Sequence, residues 1–187
     1  VVDAAPRLVS DKVVVDGVAL SGARIAFRSA HPVPAWEPVV TAPERQDDWQ
    51  SPSLGLQRAE RLDAGHVLQQ MRFDVLMGAV RIERQVIVAI RWVERGADRL
   101  HNCWAAADPA PFREKIGAMD NDAPWVAHGA GGWEIHALPD GGTYVSYQFW
   151  TESGLVPPRV QAWAMARTLP DLMSAFDAEV GRRADRR

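Results

Sequence analysis

Between residues 80 and 92 every second side chain is apolar, from Val80, Ile82, Val86 and Val88 to Ile90 and Trp92, with Arg84 the exception. Alternation of this kind puts six apolar groups and one guanidinium on the same side of a β-strand. In the preceding segment Met71, Phe73, Val75 and Met77 share a face, with Arg72 and Asp74 on the other. Strands are predicted at 54–61, 66–77, 79–93 and 99–107, and again at 131–138 and 141–151. The breaks at Asp63-Ala64-Gly65, Gly78, Arg95-Gly96-Ala97-Asp98 and Pro139-Asp140-Gly141 are short, so the strands they join run antiparallel. Residues 108–130 are the one long irregular stretch, with a helical turn expected at 112–119.

After Pro157-Pro158 the period changes. Ala162, Met165, Ala166, Leu169, Leu172, Met173, Phe176 and Val180 step by threes and fours and fall within an arc of roughly 120°. Arg167, Asp171 and Ser174 lie opposite, which describes a long amphipathic helix. Pro170 is expected to interrupt and kink it, with loss of the bond to the Ala166 carbonyl. Near the start, residues 23–30 alternate like a half-buried strand, and prolines at 32, 34, 38 and 43 restrict residues 32–50 to short helical turns. Residues 1–22 carry Val13-Val14-Val15 and the turn signal Asp16-Gly17, and read as an N-terminal appendage, a hairpin or edge, to one domain at 23–187. The order is strand, two short helices, five or six antiparallel strands, one long helix. It predicts an α+β fold in which the terminal helix lies across the apolar face of a curved antiparallel sheet.

Composition narrows the function classes. The chain has 187 residues, 47% hydrophobic and 24% charged, as in an ordinary globular domain. A net charge of -3 gives no basic footprint for nucleic acid. The lone Cys103 excludes an internal disulfide and any zinc site built on several thiolates. No uncharged apolar run approaches the ~20 residues of a spanning helix. The chain begins at Val1 rather than methionine, so removal of an upstream segment is expected, with export favoured over a cytoplasmic location. Eight tryptophans against two tyrosines mean either a tryptophan-rich core, the default, or a cavity with flat, rigid walls.

Several stretches resemble a known family. They are Gly132-Trp133 leading a strand, Asp140-Gly141-Gly142-Thr143 before "YVSYQF", "ESGLVPP", "ARTLPDLMSAF", and "ARIAFRSAHPVPAWEPV" with Trp49 after it. Together with the element order, these make residues 23–183 similar to the START-like superfamily (SRPBCC, Bet v 1-like or polyketide-cyclase-like), and to its bacterial StAR-related lipid-transfer branch. The resemblance implies a helix-grip fold with a large apolar cavity between sheet and last helix. Its members bind sterols, phospholipids, polyketides and other hydrophobic molecules, and some are cyclases. Pro170, and the charges after the second predicted helix, depart from the pattern and bear on the cavity's shape.

Within that frame the expected ligand-binding residues are Arg84, Met71, Phe73, Trp104, Trp133, Tyr147, Phe149, Met165, Leu169 and Met173. Two methionines make adaptable walls, although core packing is the default for both. Val145, Tyr147 and Phe149 share one strand face, where a phenol could orient a ligand or bond to backbone. Arg84, on an inward face, would be a costly buried charge unless paired. It is either a structural partner of an acid such as Glu60 or Glu134, or the polar anchor for a ligand hydroxyl, carboxylate or phosphate.

The five histidines lack metal-motif spacing and none follows a serine elbow. Asp120-Asn121-Asp122 lacks the rest of a calcium loop. No glycine-rich phosphate cradle is present, and no cofactor or metal is expected. The leading expectation is a non-catalytic carrier of a hydrophobic small molecule, with transient membrane contact and an open oligomeric state. The alternative is an aromatase/cyclase- or dehydratase-type enzyme, with Arg84, His101 and His136 as the nameable acid–base candidates. A co-regulator that docks through an exposed apolar patch is a third reading.

Overall fold

The computed structural model describes residues 7–15, 17–42, 45–46, 57–61, 66–77, 80–108, 110, 124–152 and 157–185. Two strands, β1 (Arg7–Val15) and β2 (Val18–Ser29), come first, followed by helix α1 (Val33–Val40). Six strands follow: β3 (Gln57–Arg61), β4 (His66–Met77), β5 (Val80–Arg95), β6 (Arg99–Ala106), β7 (Gly129–Ala137) and β8 (Thr143–Thr151). Helix α2 (Pro158–Ala184) ends the described chain. All eight strands form one antiparallel sheet in the order β1-β2-β8-β7-β6-β5-β4-β3. The chain leaves β2, reaches the far edge through α1, and meanders back until β8 pairs with β2. The curved sheet stays open, with β1 and β3 at its edges.

The turns follow their chemistry. Gly17 (φ 80°) and Gly141 (φ 85°) supply the left-handed residues of the β1–β2 and β7–β8 hairpins. In the second turn the Gly142 amide donates to Asp140 Oδ1, and Arg28 sits 2.6 Å from Oδ2. The amide first, and then the guanidinium, hold the Asp140 carboxyl below the usual carboxylate range. In α1, Pro34 stands in the first turn where its missing N–H costs nothing. Of the second expected short helix, only a single 3₁₀ turn at Arg45 and Gln46 falls within the described residues. The helical turn expected at 112–119 lies outside them. Residues 124–126 turn out to run parallel to β5, with Gln85 bonded to both Pro124 and Val126.

Cross-strand partners share a face, so register sorts the side chains. One row reads Ile25, Tyr147, Trp133, Asn102, Trp92 across β2, β8, β7, β6 and β5. The next reads Ala23, Phe149, Gly131, Trp104, Ile90 and reaches Val67 on β4. This inner face carries α2: Met165, Leu169, Met173, Phe176 and Val180 join Ala23, Ile25, Phe27, Trp133, Val145 and Tyr147 in one buried cluster with Trp36 of α1. Arg167, Asp171 and Ser174 are exposed, as their spacing requires. Pro170 does not end α2, which continues as one helix. Its missing N–H removes a single bond, and Thr168 and Ser174 hydroxyls donate to the carbonyls of Ala164 and Pro170 on either side.

Candidate ligand-binding site

α2 meets the sheet differently along its length. Its C-terminal half is packed directly. Phe176 packs tilted against Trp133 with ring centroids 4.7 Å apart, Trp133 lies 6.3 Å from Trp36, and Trp36 lies 5.9 Å from Phe27. Polar bonds tie the same half to α1 and β2. The fully buried Ser29 hydroxyl donates to Asp177 (2.5 Å) and accepts from the His31 amide and the Trp36 indole. Glu179 holds Arg182 and Arg183, and Arg183 also donates to the Pro38 carbonyl at 2.9 Å. The space expected beneath the whole helix is thus filled by the protein's own rings from Met173 to Val180. The N-terminal half is tied by Gln161, which donates to Thr151 Oγ1 (2.8 Å) and the Ser21 carbonyl (3.2 Å), and by the apolar contacts of Met165 and Leu169.

Beyond that half, the inner face continues as a second apolar cluster of Val67, Val86, Val88, Ile90, Trp104 and Val126. The half-buried Phe149 packs against both clusters and joins them. Trp104 lies over β7, tilted against Phe149 with ring centroids 5.3 Å apart. It can do so because the residue opposite is Gly131, where a Cβ would run into the indole and the Gln148 carbonyl. Trp92, on the same face, is capped by Arg95, whose guanidinium carbon is 5.5 Å from the ring centroid and which also bonds Glu37 of α1 at 2.8 Å.

Trp133, Tyr147, Met165, Leu169 and Met173 therefore come together in the first cluster, with Met173 at its filled end. Trp104 belongs to the second, and Phe149 connects the two. Arg84 is half-buried, and register places it on the inner face opposite Phe73, two residues from Val86. Met71 stands opposite Val86; the side chains of Met71 and Phe73 lie outside the described parts of the chain. Glu134 is not Arg84's partner. It lies on the outer face, within 3.4 Å of both Arg24 and Arg99. The side chain of Glu60 is likewise outside the described parts, and its register partner Leu68 is on the outer face.

The histidines expected as acid–base candidates are on the wrong side as well. His101 is opposite Glu134, with its Nε2 3.7 Å from Cys103 Sγ, and His136 stacks on Tyr144 at 4.7 Å. Both belong to the outer face, because β6 and β7 turn their odd and even members, respectively, away from α2.

Two inner-face polar groups, Gln69 and Asn102, join the site without having been expected there. Gln69 donates to Gln46 at 3.0 Å, both buried, and Asn102 accepts from the Trp133 amide at 2.9 Å. The signal was available: Gln69 interrupts the apolar alternation of β4, and Asn102 that of β6, as Arg84 does in β5. Burial pushes the Tyr147 phenol pKa well up, so this group stays protonated throughout the physiological range. Among the described residues, no group of three or more His, Cys, Asp or Glu side chains could hold a metal ion.

No family model matches the chain, and no curated protein matches it by sequence. Solved structures do. Human StAR-related lipid transfer protein 5 aligns over 94% of this chain and 88% of its own, with TM-score 0.71 and 10% identity. Human STARD10 aligns over 94% and 74%, with TM-score 0.66 and 14% identity. The Zhui aromatase/cyclase from Streptomyces sp. R1128 aligns over 96% of both chains, with TM-score 0.56 and 15% identity. The α+β sheet with its gripping terminal helix is therefore the START-like, helix-grip fold.

Proposed function

We propose that the protein binds a hydrophobic small molecule, a lipid, sterol or similar, and carries it without chemical change. The guest would lie between the inner face of the sheet and the N-terminal half of α2. Its walls would be Trp104, Phe149, Tyr147, Met165 and Leu169, with Met71 and Phe73 toward the β3 edge. The carrying observation is the asymmetry of α2. Its C-terminal half is filled and tied to α1, while the apolar face extends past its N-terminal half to Trp104, Val88 and Val86. Apolar burial at ~25 cal/mol per Å² would supply most of the affinity. Arg84, half-buried at an inner-face register position opposite Phe73, would orient the guest's polar end.

The carrier reading is preferred to a cyclase because His101 and His136 lie on the outer face, away from any guest on the inner one. A protonated Tyr147 can donate a hydrogen bond, but it is a poor base at neutral pH.

Native mass spectrometry of purified protein, followed by organic extraction, tests the reading. A co-purifying lipid or sterol recovered unchanged supports it. Protein that stays empty after exposure to a panel of lipids and sterols, or that returns a cyclised or dehydrated product, overturns it.

A further inference from the structure

The inner row that crosses five strands as Ile25, Tyr147, Trp133, Asn102 and Trp92 leaves over polar atoms of one kind. Asn102 Oδ1 accepts from the Trp133 amide, which fixes the orientation of the side-chain amide and leaves its Nδ2 hydrogens to be placed. The Trp133 indole has only an N–H to give, and the Tyr147 phenol ends in an O–H. Asn102, Trp133 and Tyr147 are 2%, 7% and 9% exposed, and among the described residues none of these three donors has a partner. Trp36, by contrast, gives its indole N–H to Ser29. The neighbours of Tyr147 in the sheet are Ile25, Val145, Phe149 and Trp133, and α2 adds Met165, Leu169, Met173 and Phe176 to the same cluster. None of these side chains is a strong acceptor. Of the two uses open to this phenol from the sequence, a bond to backbone is thus not made among the described residues.

We propose that the guest carries a carbonyl group whose oxygen accepts the Tyr147 O–H, and that Tyr147 selects such a molecule over a hydrocarbon or an alcohol. The inference rests on the carrier reading. A donor buried without a partner has lost its hydration and gained nothing, so the site favours a guest that brings the missing acceptor. A carbonyl oxygen only accepts, and its pairing strands no hydrogen. A hydroxyl paired with the phenol always leaves one O–H unused, its own or that of Tyr147, because the row has no free side-chain acceptor. Arg84 cannot serve the same oxygen. It is eight residues along β5 from Trp92, about 26 Å at ~3.3 Å per residue, and would hold a different part of the guest.

The test uses two matched sets of probes: cholestane, cholestanone and cholestanol; and nonadecane, its mid-chain ketone and its mid-chain alcohol. Extracted protein is titrated with each and followed by tryptophan fluorescence. On the skeleton that fits, the ketone is expected to bind about tenfold tighter than the hydrocarbon, and several-fold tighter than the alcohol. Tyr147→Phe keeps the ring and removes only the hydroxyl. It should bind the hydrocarbon as the wild type does, lose the roughly tenfold preference for the ketone, and unfold in urea at a midpoint no lower than the wild type. Equal wild-type affinity for ketone and hydrocarbon, a tighter alcohol, or a ketone preference that survives Tyr147→Phe overturns this inference and leaves the carrier standing. A wild-type chain that binds none of the six probes overturns the carrier reading for neutral guests, and this inference with it.

Discussion

Ser29 makes three hydrogen bonds from a fully buried position and links β2, α1 and α2. Ser29→Ala leaves the Trp36 indole, the His31 amide and the Asp177 carboxylate each short of a partner. Each stranded group costs about 1–3 kcal/mol, reduced where water can reach it, as at Asp177. A loss of about 2–4 kcal/mol in urea unfolding is expected, with no change in slope. Arg84 is a different kind of residue, half-buried on the inner face at the register position opposite Phe73. Arg84→Gln is expected to lower ligand retention about tenfold or more, the worth of a charged hydrogen bond, and to move the urea midpoint little. A collapse in stability would instead assign Arg84 to the framework. Tyr147 fixes the alkaline behaviour. Its folded-state pKa is raised by burial, so its contribution is complete below the unfolded value near ~10 and falls as pH rises beyond it, by about 1.4 kcal/mol per pH unit. Absorbance at alkaline pH should show the Tyr147 phenolate appearing together with unfolding. Ionisation of Tyr147 in a folded chain would contradict its burial.

At the scale of elements, α2 is one helix with two kinds of attachment. The C-terminal half is held by aromatic packing on Trp133 and Trp36, by Asp177 on Ser29 and by Arg183 on Pro38. Among the described residues the N-terminal half is held by Gln161 and by the packing of Met165 and Leu169, and Pro170 has removed one backbone bond between the halves. Backbone amides of residues 160–168 are therefore expected to exchange faster than those of residues 173–182, by about tenfold or more in native-state hydrogen exchange. Uniform protection along the helix would remove the physical basis for ligand entry at that end. In the packed half, Met173→Ala should cost about 2–5 kcal/mol, the usual range for a cavity in a filled core. The two halves could not be told apart from periodicity, because Met165 and Leu169 have the same spacing as Met173 and Phe176. What distinguishes them is which partners come from α1 and β2, far away in the sequence.

For the whole molecule, the carrier reading makes occupancy a stability variable. A ligand at about a hundred times its dissociation constant would stabilise the folded state by about 2.7 kcal/mol. Extracted protein should accordingly melt several degrees below protein that keeps its guest, and recover on reloading. The sequence alone determined the architecture: alternation in 66–77 and 80–92, short antiparallel links, and a terminal helix with one apolar stripe leave few other packings. It also marked Arg84 as an apolar-face charge, because a period of two is a local property that survives folding unchanged. It could not say which of the two faces each strand would bury, and so it left His101 and His136 among the acid–base candidates and Glu134, beside Glu60, among the possible partners of Arg84. Register decided that, by lining up Trp92, Asn102, Trp133, Tyr147 and Ile25 across five strands on the helix side and Glu134 with Arg24 on the other. Only the tertiary structure, too, showed that the C-terminal half of α2 is packed directly on the rings of Trp133 and its neighbours. Filling depends on the volumes of side chains brought together from distant segments, and no local pattern encodes that sum.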